Sequence, residues 1–262
     1  MTTVRDRLWV WCHQAGSYKG QYNLPGPSRM TPAAAAVSLG VPNLIMVVYG
    51  GQPRPPFDQH AIAMRPLDRV VWSVVGDASS EGNDLEAVIS LSQKFPNITG
   101  AMMDDFFRDQ VAEDESQARC TLEEAQFIHD RLHAAPRPLD LFVVLYAHQL
   151  ELPVRPYLDA CDAIAFWTWR SEDLAHLEDN FARAERLAPE ARKLLGCYMW
   201  DFGNGRPIPL ELMQKQCELG LQWLEAGRIE GMIFLAGNTC DLEIEAVEYA
   251  RQWIARVADA QL

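Results

Sequence analysis

The sequence predicts an α/β chain folded as a single (β/α)8 TIM barrel over residues 1–262. Three observations carry this expectation. Eight short apolar segments alternate strictly with eight segments of helical pattern. The strand segments are apolar on both faces, as parallel strands covered by helices are. The length, 262 residues, suits eight βα units, and no linker or shift in composition divides it. The competing architecture is a doubly wound open sheet, but no G-x-G-x-x-G follows the first strand, where that fold would bind a dinucleotide.

The first strand is Leu8 to His13, in which Trp9, Trp11 and His13 share a face by period two. A Gly/Pro/Tyr-rich loop, Gln14 to Met30, leads to Thr31-Pro32, with Thr at an N-cap and Pro at the first helical position. That helix runs to Leu39 and stops at Gly40. The second strand is Asn43 to Tyr49. A helix over Asp58–Met64 precedes the third strand, Arg69 to Asp77. Asp84 to Lys94 is helical. The fourth strand lies in Ile98 to Phe107, an apolar run that ends in two adjacent carboxylates and two aromatic rings. Thr121-Leu-Glu-Glu124 fits a capping box and opens a helix to Ala134. Strand five is Leu139 to His148, followed by a short helix at Arg155–Cys161 and strand six, Ala163–Trp169. A helix over Leu174–Leu187, strand seven over Leu194–Asp201, a helix over Pro209–Ala226 and strand eight over Gly231–Ala236 follow. Leu242 to Val257 closes the chain, with Val247, Ala250, Ile254 and Val257 on one helical face.

Composition narrows the functional classes. A hydrophobic share of 48% supports a substantial core. A net charge of −13 with no basic patch argues against nucleic acid and anionic membranes as partners. No apolar run reaches membrane-spanning length, and the first residues lack the long apolar segment of a secretory signal. The six cysteines are scattered without a C-x-x-C pair, which suits reduced core residues. The expected location is therefore the cytoplasm.

In this fold the active site lies at the C-terminal ends of the strands. Those ends bring His13, Tyr49, Asp77, Asp104 with Asp105, Tyr146, His148, Trp167 to Trp169, Trp200 with Asp201, and Asn238 to one mouth. Paired carboxylates suit acid and base chemistry, because burial and a neighbour's charge hold one protonated while the other stays ionised. Aromatic rings beside them suit a sugar, which offers C–H faces to stack and hydroxyls to hydrogen-bond. Together they are the parts of a glycosidase. Strands four and seven lie nearly opposite each other in an eight-stranded barrel, so Asp104/Asp105 and Asp201 would flank a scissile bond. Asp201 has a competing reading as a turn residue in Asp-Phe-Gly-Asn-Gly-Arg, and Asp77 as a helix cap.

Two other site chemistries are open. Asp77, Asp105, His148 and Asp201 would supply oxygen and nitrogen ligands to a divalent metal in a sugar isomerase or epimerase, although no strand end carries the Glu such barrels usually recruit. Gly203-Asn-Gly205-Arg206 and Gly237-Asn238-Thr239 would suit a phosphate. No strand end carries a lysine for a Schiff base, and there is no G-x-S-x-G elbow. Among the tryptophans, Trp11, Trp169 and Trp200 are the expected stacking platforms. Trp9, Trp72, Trp167, Trp223 and Trp253 are expected to pack.

Gly100-Ala-Met-Met-Asp-Asp-Phe-Phe107, Tyr198-Met-Trp-Asp-Phe202 and the aromatic strand ends together resemble the glycoside-hydrolase-type (β/α)8 barrels. The clan of these with catalytic residues on strands four and seven normally uses Glu at both, whereas both places here carry Asp. The resemblance is to the broad group and to no numbered family. It implies a carbohydrate-active enzyme acting on a small sugar or glycoside without a cofactor. Asp105 would be the general acid, Asp201 the nucleophile or base, and Asp104 an orienting neighbour, the roles of Asp104 and Asp105 being interchangeable by period two. His13, Tyr49, Asp77, Tyr146, His148, Trp169, Trp200 and Asn238 would bind substrate. A metal-dependent isomerase and a non-catalytic carbohydrate-binding barrel are the alternatives.

Overall fold

The computed structural model describes residues 2–75, 84–109 and 117–262. Its eight strands are β1 (Leu8–Cys12), β2 (Asn43–Met46), β3 (Arg69–Val75), β4 (Ile98–Met103), β5 (Asp140–Tyr146), β6 (Ala163–Trp167), β7 (Arg192–Cys197) and β8 (Gly231–Leu235). They form a closed barrel in sequence order, all parallel, with β8 returning to β1 through pairs such as Leu8 with Met232. The helices are α1 (Pro32–Leu39), α2 (Asp58–Ala63), α3 (Asp84–Lys94), α4 (Leu122–His133), α5 (Arg155–Leu158), α6 (Leu177–Leu187), α7 (Leu210–Glu225) and α8 (Glu245–Val257). The predicted eight-stranded α/β barrel is thus the observed one. Closure leaves no sheet edge, and every strand is buried along nearly its whole length.

Local chemistry explains where the elements begin and end. Thr31 accepts from Ala34 N at 3.3 Å, with Pro32 at the first position of α1, and Gly40 ends that helix in the left-handed region at φ +66°. The capping box of α4 is complete: Thr121 Oγ1 accepts from Glu124 N, and Glu124 accepts from Thr121 N at 2.8 Å. Several strands stop earlier than their apolar runs suggest. His13, Trp169 and Asp201 lie past β1, β6 and β7, in connecting segments, and His148 sits in a short 3-10 turn, Ala147–Gln149, after β5. Apolar character marks burial, and at this end of the barrel the buried chain continues beyond the ladder.

The two ends of the barrel differ. The N-terminal end is closed by a polar plug. Asn43 donates to the carbonyls of Asp6 and Leu8, and Arg69 donates to Asn43 Oδ1 at 3.1 Å. Glu230 gathers Arg192 at 3.0 Å, Arg69 at 3.6 Å and Arg7 at 3.8 Å. The C-terminal end is open. There the register between β3 and β4 shifts at Ser73/Val75. Asp104 N still bonds Val75 O, and Asp105 then turns away at φ +43°, a conformation that Asp tolerates better than most residues. This turn lets both neighbouring carboxylates face the mouth.

Candidate active site

A cavity of about 460 Å³ opens at the C-terminal end. Asp104 and Asp105 line it beside Tyr146 and His148 after β5, Trp167 and Trp169 from β6, and Tyr198 after β7. The first loop contributes Tyr18 and Tyr22, and His13 and Tyr49 complete that side. Asp105 Oδ1 accepts the Tyr146 hydroxyl at 2.8 Å, while the Asp105 carbonyl accepts Arg119 Nε at 2.6 Å. Burial, followed by the charges of the nearby carboxylates and phenols, raises the Tyr18, Tyr146 and Tyr198 hydroxyls well above their usual range. These phenols stay protonated and serve as donors.

The rings form a continuous wall. Tyr18 packs within 5.0 Å of His13, Tyr22 and Tyr49, and His13 meets Tyr49 at 5.4 Å. Trp169 meets Tyr146 edge-on at 6.0 Å and lies nearly parallel to Phe202. Trp167 forms the floor against Trp11 at 5.4 Å and Tyr198 at 4.5 Å. Its indole occupies the place a side chain at residue 196 would need: a Cβ on Gly196 would fall 2.1 Å from the ring. His148 stacks on Tyr146 and pairs with Asp109 at 2.9 Å, which Gln149 also holds.

His13 is 2% exposed, and burial lowers its imidazole to about 3, so the ring is neutral at physiological pH. Asn238 Nδ2 contacts its Nδ1 at 2.9 Å. With that amide donating, the ring proton lies on Nε2, toward the Tyr18 hydroxyl at 3.4 Å. Protonation of the unfolded chain, but not of this folded ring, makes stability fall as pH drops below about 6.5. Between pH 7 and pH 5 the contribution is about 2 kcal/mol. Urea unfolding of the wild type and of His13→Gln at both pH values checks it: the wild type is expected to lose that much more, and equal losses would refute it.

The structure sorts the residues expected from sequence. Asp104, Asp105, His13, Tyr49, Tyr146, His148 and Trp169 all line the cavity. Asp77 lies outside the described residues. Asp201, Trp200 and Asn238 do not line it. Asn238 stands behind His13, and Trp200 is buried with Nε1 donating to Tyr22 O at 2.9 Å.

Asp201 sits away from the cavity lining. Its side chain is fully shielded, and its oxygens accept from Ser171 Oγ at 2.7 Å, Asn204 Nδ2 at 2.9 Å and Arg206 Nε at 3.2 Å. Burial pushes its pKa up, but these donors outweigh burial and hold it below the usual range. An aspartate so occupied fastens the loop after β7 to the end of β6 and has no lone pair directed at the mouth. These bonds are those of the turn-residue reading of Asp-Phe-Gly-Asn-Gly-Arg.

In the same network Arg206 faces Asp201 and Glu172, and Gly203 N bonds Trp169 O, so these groups of the loop after β7 are engaged within the protein. Sequence reasoning missed Tyr18, Tyr22 and Tyr198. The first two were marked only by aromatic residues four apart in the first loop, and Tyr198 by its place two residues before Trp200.

The six cysteines form no disulfide, and burial pushes their thiols up, Cys120 to about 11 and Cys240 to about 12, which leaves them protonated. No helix among the described residues is long and apolar enough to cross a membrane.

Solved structures that share this closed eight-stranded parallel barrel are mostly glycoside hydrolases. A candidate alpha-L-fucosidase from Bacteroides thetaiotaomicron is 12% identical, with a TM-score of 0.62 over 97% of this chain and 94% of the other. The glycoside hydrolase domain of PgaB from Bordetella bronchiseptica is 11% identical, with a TM-score of 0.55 over 98% and 99%. The GH99 endo-alpha-mannosidase from Bacteroides thetaiotaomicron is 7% identical, with a TM-score of 0.55 over 96% and 97%. At such identities the likeness is one of fold. No family model matches the chain, and no curated protein matches it.

Proposed function

We propose that this chain is a carbohydrate-active enzyme, a glycoside hydrolase whose reacting carboxylates are Asp104 and Asp105. The observation that carries the reading is their convergence with protonated phenols and indole faces in one cavity of about 460 Å³, a volume suited to a small sugar or glycoside. Trp169 and Tyr146 offer the stacking surface for the sugar's C–H face. Tyr18, Tyr22 and Tyr198 supply donors to its hydroxyls.

Of the two carboxylates, Asp105 receives the Tyr146 hydroxyl, and such a bond favours the ionised form. It therefore takes the anionic role at the anomeric centre, where positive charge develops. Asp104 is the more deeply buried, which favours a neutral acid, and it protonates the leaving oxygen. His13, held neutral and oriented by Asn238, points its remaining nitrogen at the Tyr18 hydroxyl and so turns that phenol's proton toward the sugar. This assignment exchanges the roles first expected of the two neighbours and removes Asp201 from the chemistry.

The test is hydrolysis of a panel of nitrophenyl and methylumbelliferyl glycosides covering the common monosaccharides and both anomers. Turnover of at least one, reduced by Asp104→Asn and Asp105→Asn, supports the proposal. Sugar binding that survives both changes in a protein that turns over none of the panel would instead make the barrel a binding protein. Trp169→Ala is expected to raise KM about tenfold, the loss of one stacking face, with a smaller change in kcat. An unchanged KM would take the sugar away from Trp169.

A further inference from the structure

A second group of ligand-bearing side chains lies at the other end of the barrel. His129 and His133 are one helical turn apart at the C-terminal end of α4, and Asp162 immediately precedes β6. Helices run antiparallel to the strands, so this cluster sits at the N-terminal end of the strands, opposite the candidate active site. Among the described residues it is the group of histidine and carboxylate side chains gathered closely enough to hold one ion: one ligand atom from each lies within 4.8 Å of the others.

We propose that His129, His133 and Asp162 form a binding site for a divalent transition-metal ion of the zinc class. Spacing of i and i+4 puts both imidazoles on one face of α4, the arrangement by which helices present two histidines to zinc. Their ring centroids are 4.0 Å apart. His133 Nε2 is 2.9 Å from Asp162 Oδ2, and His129 Nε2 is 3.8 Å from Oδ1. Ligands about 2.0–2.1 Å from a tetrahedral zinc stand about 3.3 Å from one another, so these distances straddle the required value. The three ligand atoms lie within 4.8 Å of one another, so an ion enters once they draw in by at most about 1.5 Å, at a helix end where His133 is exposed.

The surroundings orient the ligands as metal sites require. Asp130 Oδ1 lies 3.0 Å from His129 Nδ1, which turns Nε2 toward Asp162, the carboxylate–histidine support found behind metal ligands. Asp162 is held in place by its own backbone and side chain: its N bonds Leu141 O at 2.9 Å, its O accepts from Arg192 N at 2.9 Å, and its Oδ2 accepts from Leu141 N at 2.7 Å. The guanidinium of Arg192, whose backbone N bonds Asp162 O, is committed to Asp140 at 2.8 Å and Glu230 at 3.0 Å. Two imidazoles and one carboxylate leave room for water to complete the shell, and they suit zinc better than calcium or magnesium. The ion would join α4 to the segment between α5 and β6, so its effect is on stability and not on the chemistry at the mouth.

The experiment is calorimetric titration of ZnCl2 into tag-free, chelator-treated full-length protein, beside thermal melting with and without zinc. One equivalent is expected to bind at micromolar concentration or below and to raise Tm by several degrees. His129→Asn and His133→Asn each weaken binding by at least about tenfold. Both side chains reach the surface, so the singly substituted proteins are expected to melt near the wild type without zinc. No binding by the wild type up to about 1 mM, or binding undiminished in both variants, would overturn the site. In the second case the zinc sits on other residues.

Discussion

Asp105→Asn is expected to lower kcat/KM on any glycoside that the wild type cleaves by about 10³-fold or more, with folding and KM little changed. The substitution is unusually clean at this position. Asp105 sits at φ +43°, where Asn is as well tolerated as Asp and Ala is not. The Asn carbonyl oxygen still accepts the Tyr146 hydroxyl that Asp105 Oδ1 accepts at 2.8 Å. Backbone, volume and the Tyr146 hydrogen bond are kept, while the negative charge is removed and one carboxylate oxygen becomes an N–H donor. A large loss of kcat in a protein of unchanged melting temperature therefore reports on chemistry. Activity within about tenfold of the wild type would remove Asp105 from the reaction and leave Asp104 to carry it alone. Asp105→Ala would not serve as well, because it adds strain in the left-handed region and leaves Tyr146 without its acceptor.

Asp201→Asn is expected to do the opposite: to cost about 2–4 kcal/mol of stability while the folded protein keeps most of its activity. The carboxylate is fully shielded and accepts from Ser171, Asn204 and Arg206. An amide in its place presents N–H groups to at least one of those donors, and a buried donor facing a donor is left unsatisfied. The pH dependence has a definite sign. Asp201 is held below the ordinary carboxylate range in the folded chain, so its stabilising contribution is present above about pH 4 and is lost as pH falls through its folded value. The Asp201→Asn variant lacks that dependence. Denaturant unfolding at pH 7 and in steps below pH 4 measures both effects, and activity per folded molecule separates them from catalysis. A variant of normal stability with kcat reduced about a thousandfold would return Asp201 to the catalytic role that strand position alone suggests.

The contrast between these two aspartates shows how far sequence reasoning reaches. Alternation of apolar and amphipathic segments determined the barrel, because a strand buried on both faces packs one face on the helices and the other into the barrel interior, and eight such units close without an edge. The Thr121–Glu124 capping box and the Thr31-Pro32 helix start were equally legible, since they depend on residues within one turn of each other. The general address of the site was readable as well, because strand ends share one mouth. Asp104, Asp105, His13, Tyr49, Tyr146, His148 and Trp169 all reached it.

What period two could not supply was the direction of a side chain once the chain leaves the ladder. Asp104 and Asp105 face the same cavity because a register shift and a positive φ intervene between strand and loop. Asp201 and Trp200 face away because the loop after β7 folds back on Ser171, Asn204, Arg206 and Tyr22. Tyr18 and Tyr22 enter from a loop whose path no local pattern determines. The His129, His133 and Asp162 cluster unites the last turn of α4 with a residue 29 positions beyond His133, and only the pairing of β6 beside β5 brings the two together. Local hydrogen bonding and burial periodicity were written in the chain itself. The hydrogen-bond partner that each strand-end carboxylate finds is set by loops packing across the mouth, and that packing was decided by the tertiary structure alone.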